Sequence, residues 1–163
     1  MSVMSILIDG YNLLRAVQNI SEQTAGIADT QICYIISRYL TITKSRGAII
    51  FDGIGPRDKT VFDNLANLEV VFSGRSKEAD DIIEKLVLEN SAPKSLTVVS
   101  SDRRVKAAAN RRKATAVGSL DFWTEAIKKI EKKARKKSEP PAKYLGISAA
   151  ETEYWLKVFG FIK

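Results

Sequence analysis

Apolar positions along the chain fall into two alternating kinds of run. Five short, mostly apolar stretches have the length and β-former content of buried strands: Ser5-Ile6-Leu7-Ile8, Ala48-Ile49-Ile50-Phe51, Leu68 to Phe72, Leu96-Thr97-Val98-Val99 and Thr115-Ala116-Val117. Between them, apolar residues recur at helical spacing. Ile32, Ile35, Ile36, Tyr39 and Leu40 mark a helix over 27–43, and Ala79, Ile82, Ile83, Leu86 and Val87 mark the inner face of one over 77–90. Tyr11 to Val17 reads as a short helix, 21–26 as a polar loop, and Gly47 as the end of the second helical region. Pro56 opens a transition into a helix over 57–67, a turn occupies 73–76, a basic helix covers 103–112, and Ser119 opens a long helix to about Lys137. Strand and helix alternate throughout, which predicts a parallel sheet with right-handed crossovers in a three-layer α/β/α sandwich.

Beyond that helix the pattern changes. Pro140-Pro141 makes a stiff break, and Ser148-Ala149-Ala150-Glu151 has capping-box spacing for a last amphipathic helix carrying Tyr154, Trp155, Val158 and Phe159. The expected organisation is one domain over 1–137, including the basic helix at its end, and a linker with a short C-terminal helix over 138–163. There is no internal repeat, and 163 residues are enough to bury a core without staples. No apolar run approaches the roughly 18 residues of a spanning helix, and the N-terminus lacks leader features, so the expectation is a cytoplasmic protein with no membrane partner. The single cysteine, Cys33, lies on an apolar helical face and fits a core role.

Composition narrows the chemistry. With no histidine, Ser-His and Cys-His catalysis and most zinc sites are excluded, and the remaining hard oxygen ligands point to Mg²⁺ or Mn²⁺. The net charge of +7 is uneven: residues 1–127 carry 16 Lys/Arg against 15 Asp/Glu, and 128–163 carry 10 against 4. A nearly neutral body with a basic C-terminal segment suits a polyanion, nucleic acid being the commonest, although a solvated lysine face gives the same count.

Aspartates stand where the strands stop. Asp9 and Asp52 end the first two strands, Asp102 follows the fourth, and Asp80 and Asp81 open the helix after the third. Ligands in an open α/β sheet gather outside the carboxyl ends of its strands, and carboxylates ending adjacent strands lie roughly 5 Å apart. Such charges repel unless a cation sits between them, and a divalent metal there also activates water without histidine. Each residue has a purely structural alternative: Asp9 and Asp52 as turn residues, Asn12 and Asp102 as helix caps, Asp80 and Asp81 as acids meeting a helix dipole. Asp80 is preferred to Asp81 as the site-facing member, because Asp81 directly precedes the apolar Ile82-Ile83 pair. Around the carboxylates stand Arg57, Arg75, Lys77, Arg103, Arg104 and Lys106, a basic rim suited to flanking phosphates. Further along, Lys132, Lys133, Lys136 and Lys137 are candidate phosphate contacts. The GRSK at 74–77 lacks P-loop spacing, so nucleotide triphosphate hydrolysis is not indicated.

LIDGYN, FDG, SKEADDIIEKLV and VVSSDRRV, in this order and spacing over residues 5–125, resemble the YacP-like NYN domains, a branch of the PIN-like metal-dependent nucleases. The resemblance implies a PIN-like sheet of order 3-2-1-4-5, Mg²⁺ or Mn²⁺ at an acidic crevice, and cleavage of RNA, single-stranded or messenger, with the ribosome as a candidate partner. By motif match, Asp9, Asn12, Asp80 and Asp102 correspond to the family's site residues, with Asp81 and Ser101 as adjacent polar partners; Asp9, Asp80 and Asp102 are expected to hold the metal directly or through water, with Asn12 and Ser101 orienting its ligands. The family more often has alanine where Gly53 follows Asp52, which places Asp52 at the rim. The expected function is a metal-dependent endoribonuclease. The alternative is a catalytically silent RNA- or ribosome-binding module of the same fold. A phosphoacceptor receiver domain is disfavoured, since Gly118-Ser119 stands where its lysine is expected after the fifth strand.

Overall fold

The computed structural model of the chain describes residues 4–137. Five strands form one sheet: β1 (Ile6–Asp9), β2 (Gly47–Phe51), β3 (Leu68–Phe72), β4 (Thr97–Val99) and β5 (Thr115–Val117). Every neighbouring pair is parallel and the order is β3-β2-β1-β4-β5, with β1 between β2 and β4 at the point where the chain reverses its direction of travel across the sheet. The expected strand order is therefore the observed one, with full rather than partial parallelism among the strands.

Two apolar layers sandwich the sheet. On one side α1 (Gly10–Gln18), α2 (Asp29–Thr43) and α5 (Ser119–Lys137) pack through Leu13, Ile36, Leu40, Phe122, Trp123 and Ile130. On the other, α3 (Ala79–Glu89) and α4 (Arg103–Arg111) pack through Ile83, Val87, Val105 and Ala109. Alternation along β1 explains the division, since Ile6 and Ile8 join the first cluster and Leu7 the second. Cys33 is wholly buried in the first cluster, where burial pushes its thiol pKa up, so it is a core residue.

Two glycines are required by close approach at the centre of the sheet. A Cβ on Gly10 would collide with the Phe51 ring and stand 2.8 Å from the Ile50 carbonyl oxygen, and one on Gly47 would stand 2.8 Å from that of Ile6. Gly47 thus opens β2 instead of ending α2, a task taken by Lys44 in the left-handed conformation.

The helix expected over 57–67 does not form. Only Thr60–Phe62 makes a 3-10 turn, because the Asp58 carboxylate accepts from both the backbone N–H and the hydroxyl of Thr60 and so fixes a local turn. Phe62 and Leu65 are the buried apolar residues of this segment, and the Ser37 hydroxyl of α2 also holds it by donating to the Ala66 carbonyl at 2.6 Å. The break at Pro140-Pro141 and the last amphipathic helix lie outside the described residues.

Candidate active site

The carboxyl end of β1 delivers Asp9 directly into the crevice between β2 and β4. Gly10 begins α1 with no intervening loop, so the Asp9 side chain is held at the junction and is 6 % exposed. Its Oδ2 accepts a hydrogen bond from the Ser100 hydroxyl at 2.8 Å. Ser100 is itself fully buried at the end of β4, and its oxygen accepts from the Asp102 backbone N–H at 3.0 Å. One hydroxyl therefore joins the end of β1 to the start of α4. The Asp9 carboxyl is pushed up from 3.8 to about 6: burial is the main cause, the Ser100 bond opposes it, and the negative charges of Asp80, Asp52 and Asp102 add to it.

Those three carboxylates arrive from different elements. Asp102 is the N-cap of α4, its Oδ1 accepting from the N–H groups of Arg104 (2.8 Å) and Val105 (3.2 Å). Asp52, exposed just past β2, accepts the Ala79 N–H at 2.6 Å and so ties the sheet to the start of α3. Asp80 lies in the first turn of α3 with its carboxyl pKa raised, by burial first and then by Asp102, with Asp52 and Glu78 contributing and the Arg104 cation opposing. Asp81 points elsewhere: Oδ2 accepts the Glu78 N–H at 3.0 Å and Oδ1 pairs with the Arg104 guanidinium at 2.7 Å, which together lower its pKa. The capping and site-facing roles weighed for Asp102 are thus compatible, because a cap uses one carboxylate oxygen and leaves the other.

A second polar network closes the other side. The Asn12 Oδ1 accepts from the Ser101 N–H at 2.9 Å and from the Ser119 hydroxyl at 2.6 Å, and the Ser101 hydroxyl accepts from the Ser119 N–H at 3.2 Å. Asn12 is therefore a brace joining α1, the β4–α4 turn and the start of α5. Ser100 and Ser119 were missed by sequence reasoning. Ser100 carries a usable signal, being the polar residue that continues an apolar strand straight into Ser101-Asp102; Ser119 shows only as a helix start.

The donor chemistry suits a hard divalent cation: carboxylate oxygens that disfavour one another's ionisation, one of them buried. Among the described residues, no group of three or more carboxylate or thiol side chains stands ready to hold an ion in its present rotamers. The crevice gathers negative charge without closing a coordination shell.

The basic residues divide. Arg57, Arg75, Lys77 and Arg103 are exposed and Lys106 is half-buried. Arg75 and Lys77 follow Gly74, which bridges Gly53 beyond the ends of β3 and β2. Arg104 is taken up by Asp81 and Glu84, at 2.7 Å to each, and not left open to a phosphate. On α5, Lys132 and Lys136 are exposed and Lys133 is half-buried, whereas the Lys137 side chain lies outside what is described. Since Ser119 is at the crevice and a helix rises about 1.5 Å per residue, these lysines begin roughly 20 Å from the carboxylates. They are not part of the same constellation. No helix among the described residues is long and apolar enough to cross a membrane.

The YacP-like NYN domain family matches the chain over residues 6–154, further than the motifs at 5–125 reach. No curated protein matches. Among solved structures, the crystal structure of Rae1 (YacP) from Bacillus subtilis is 26% identical with a TM-score of 0.64, covering 98% of this chain and 93% of that one. A point mutant of that protein matches at 20% identity and a TM-score of 0.63, covering 98% and 92%, and supports the fold.

Proposed function

The chain belongs to the YacP-like NYN domain family, and from that premise we propose that it is a metal-dependent endoribonuclease hydrolysing phosphodiester bonds in RNA. The observation that carries the reading is the crevice around Asp9, where the carboxyl is pushed up to about 6 by its burial first and then by the charges of Asp80, Asp52 and Asp102. Repulsion of this kind is what a divalent cation relieves. In the proposed reaction Asp9, Asp80 and Asp102 hold Mg²⁺ or Mn²⁺. The ion, when bound, supplies charge neutralisation at the scissile phosphate and a water made acidic enough to act near pH 7.

The chain's own groups do the rest. Ser100 orients the Asp9 carboxylate and fixes it relative to Asp102. Asn12 and Ser101 hold the β4–α4 turn against α1 and α5. The rim cations Arg57, Arg75, Lys77, Arg103 and Lys106 hold flanking phosphates, and Asp52 sets the start of α3. Messenger RNA on the ribosome is the substrate setting that the resemblance suggests.

A silent RNA-binding module is the second reading, favoured by the cap bonds that Asp52 and Asp102 already make. Incubation of the protein with end-labelled single-stranded RNA in Mn²⁺, Mg²⁺ or EDTA, beside Asp9→Asn, separates the two. The nuclease reading requires cleavage with metal, none in EDTA, and none in Asp9→Asn. Cleavage that persists in excess chelator refutes the mechanism, and binding without cleavage under every metal condition supports the silent module.

A further inference from the structure

We propose that Arg104 is a positioning residue for the carboxylate crevice, its guanidinium locking the first turns of α3 and α4 together and so setting the separation of Asp80 from Asp102. The proposal rests on the reading that these two carboxylates share a divalent cation. The sheet does not fix that separation by itself. β3, which leads into α3, and β4, which leads into α4, are kept apart by β2 and β1, while α3 and α4 lie side by side on one face. Each helix is reached through a loop, 73–78 in one case and 100–102 in the other. The two helix starts carry Asp80 and Asp102, whose like charges oppose close approach.

Arg104 spans the gap with both arms of its fork. Nη2 donates to Asp81 Oδ1 at 2.7 Å and to Glu84 Oε2 at 3.3 Å, and Nε donates to Glu84 Oε1 at 2.7 Å. Asp81 and Glu84 are three residues apart on one face of α3, which matches the planar guanidinium. The anchors at either end are themselves fixed. Asp81 Oδ2 accepts the Glu78 N–H at the start of α3, and the backbone N–H of Arg104 donates to Asp102 Oδ1. A continuous chain of hydrogen bonds thus runs from the start of α3 to the Asp102 carboxylate, passing beside Asp80. Arg104 was expected to contact RNA, but its charge is already met by two carboxylates, which makes it a poor phosphate ligand and a good brace.

The test is Mn²⁺ titration of the full chain, followed by electron paramagnetic resonance, for the parent, R104K and the reciprocal exchange R104E with E84R. R104K keeps the charge and loses the fork; the exchange keeps the net charge and restores a guanidinium across the junction. Because the pair is half exposed, the fold should survive each change, which circular dichroism checks. R104K should weaken Mn²⁺ binding about tenfold, the lower end for partners that orient metal ligands. The exchange should recover affinity to within about threefold of the parent by rebuilding the clamp. Equal Mn²⁺ affinity in R104K and parent overturns the clamp, as does an exchange variant no better than R104K. An R104Q variant whose RNA binding in EDTA loses about 0.7 of its slope against log salt would instead assign Arg104 to a phosphate. A parent that binds no Mn²⁺ removes the premise as well, and so is distinguishable from failure of the clamp alone.

Discussion

Asp9→Asn should make the metal-free protein more stable at neutral pH and leave it almost unchanged in acid. The folded-state pKa of Asp9, about 6, lies above its ordinary 3.8. The native state therefore binds more protons than the unfolded chain between those values, so stability is fullest below about pH 4 and falls as the pH rises through 6. At about 1.4 kcal/mol per pH unit the cost of an ionised Asp9 at pH 7.5 approaches 3 kcal/mol, and water entering the open crevice reduces it to about 1–3 kcal/mol. Asparagine has nearly the same shape, carries no charge, and offers its Oδ1 to the Ser100 hydroxyl that now bonds the carboxylate. In urea denaturation with EDTA present, the variant should gain about 1–3 kcal/mol over the parent at pH 7.5 and less than about 0.5 kcal/mol at pH 4. For a chain of this length that corresponds to roughly 2–10 °C in melting temperature at pH 7.5. Millimolar Mn²⁺ should reverse the order, since a ligand of the native state stabilises only the protein that binds it. A gain of equal size at both pH values, or a variant less stable than the parent at pH 7.5, would refute the account of Asp9 as a carboxyl raised by burial and by its neighbours' charge.

Two further outcomes are expected. Asp102→Asn should keep the α4 cap, staying within about 0.5 kcal/mol of the parent in EDTA, whereas Asp102→Ala should lose about 1 kcal/mol; both should abolish cleavage, and equal unfolding midpoints for the two variants would deny the cap. Replacing Lys132, Lys133, Lys136 and Lys137 by Gln should lower RNA affinity and flatten its log-salt slope by up to about 0.7 per lost contact, with the cleavage rate at saturating RNA unchanged because these residues start roughly 20 Å from the crevice; an unchanged slope on the same RNA would leave them as a solvated face.

The sheet was legible because its five strands are short, apolar and separated by stretches of a different period. β3 and β5 run from Leu68 to Phe72 and from Thr115 to Val117, the same bounds as the apolar runs, and the order 3-2-1-4-5 followed from the family resemblance. Where local side-chain chemistry competes with periodicity, the pattern misleads. The stretch 57–67 offers Val61, Phe62 and Leu65 at helical spacing, yet the Asp58–Thr60 bonds hold a local turn there and the segment forms only a 3-10 turn. The positions of the carboxylates were legible too, because a strand that stops on aspartate announces itself. Their partners were not: the Asp9–Ser100 bond spans 91 residues, and nothing local in Ser100 or Ser119 marks which distant oxygen each will meet. Arg104 shows the same gap from the other side, since adjacency to Asp102 suggested a phosphate contact while its guanidinium reaches a helix 20 or more residues earlier.

Structural and chemical readings of the aspartates need not compete, and the geometry indicates why. A carboxylate has two oxygens and room for about four hydrogen bonds. Asp102 gives Oδ1 to two N–H groups of α4, and Asp52 gives Oδ1 to Ala79. Each of these bonds holds its carboxylate against the N–H groups of a helix start. Asp9 lacks any backbone N–H cap bond and is the most buried of the four, which is why its carboxyl is pushed up to about 6. A cation arriving in the crevice would therefore favour the ionised form of Asp9. At neutral pH its charge is held at a cost that the fold alone does not offset, and loss of that charge in Asp9→Asn should be the change that most improves the empty protein and most damages the loaded one.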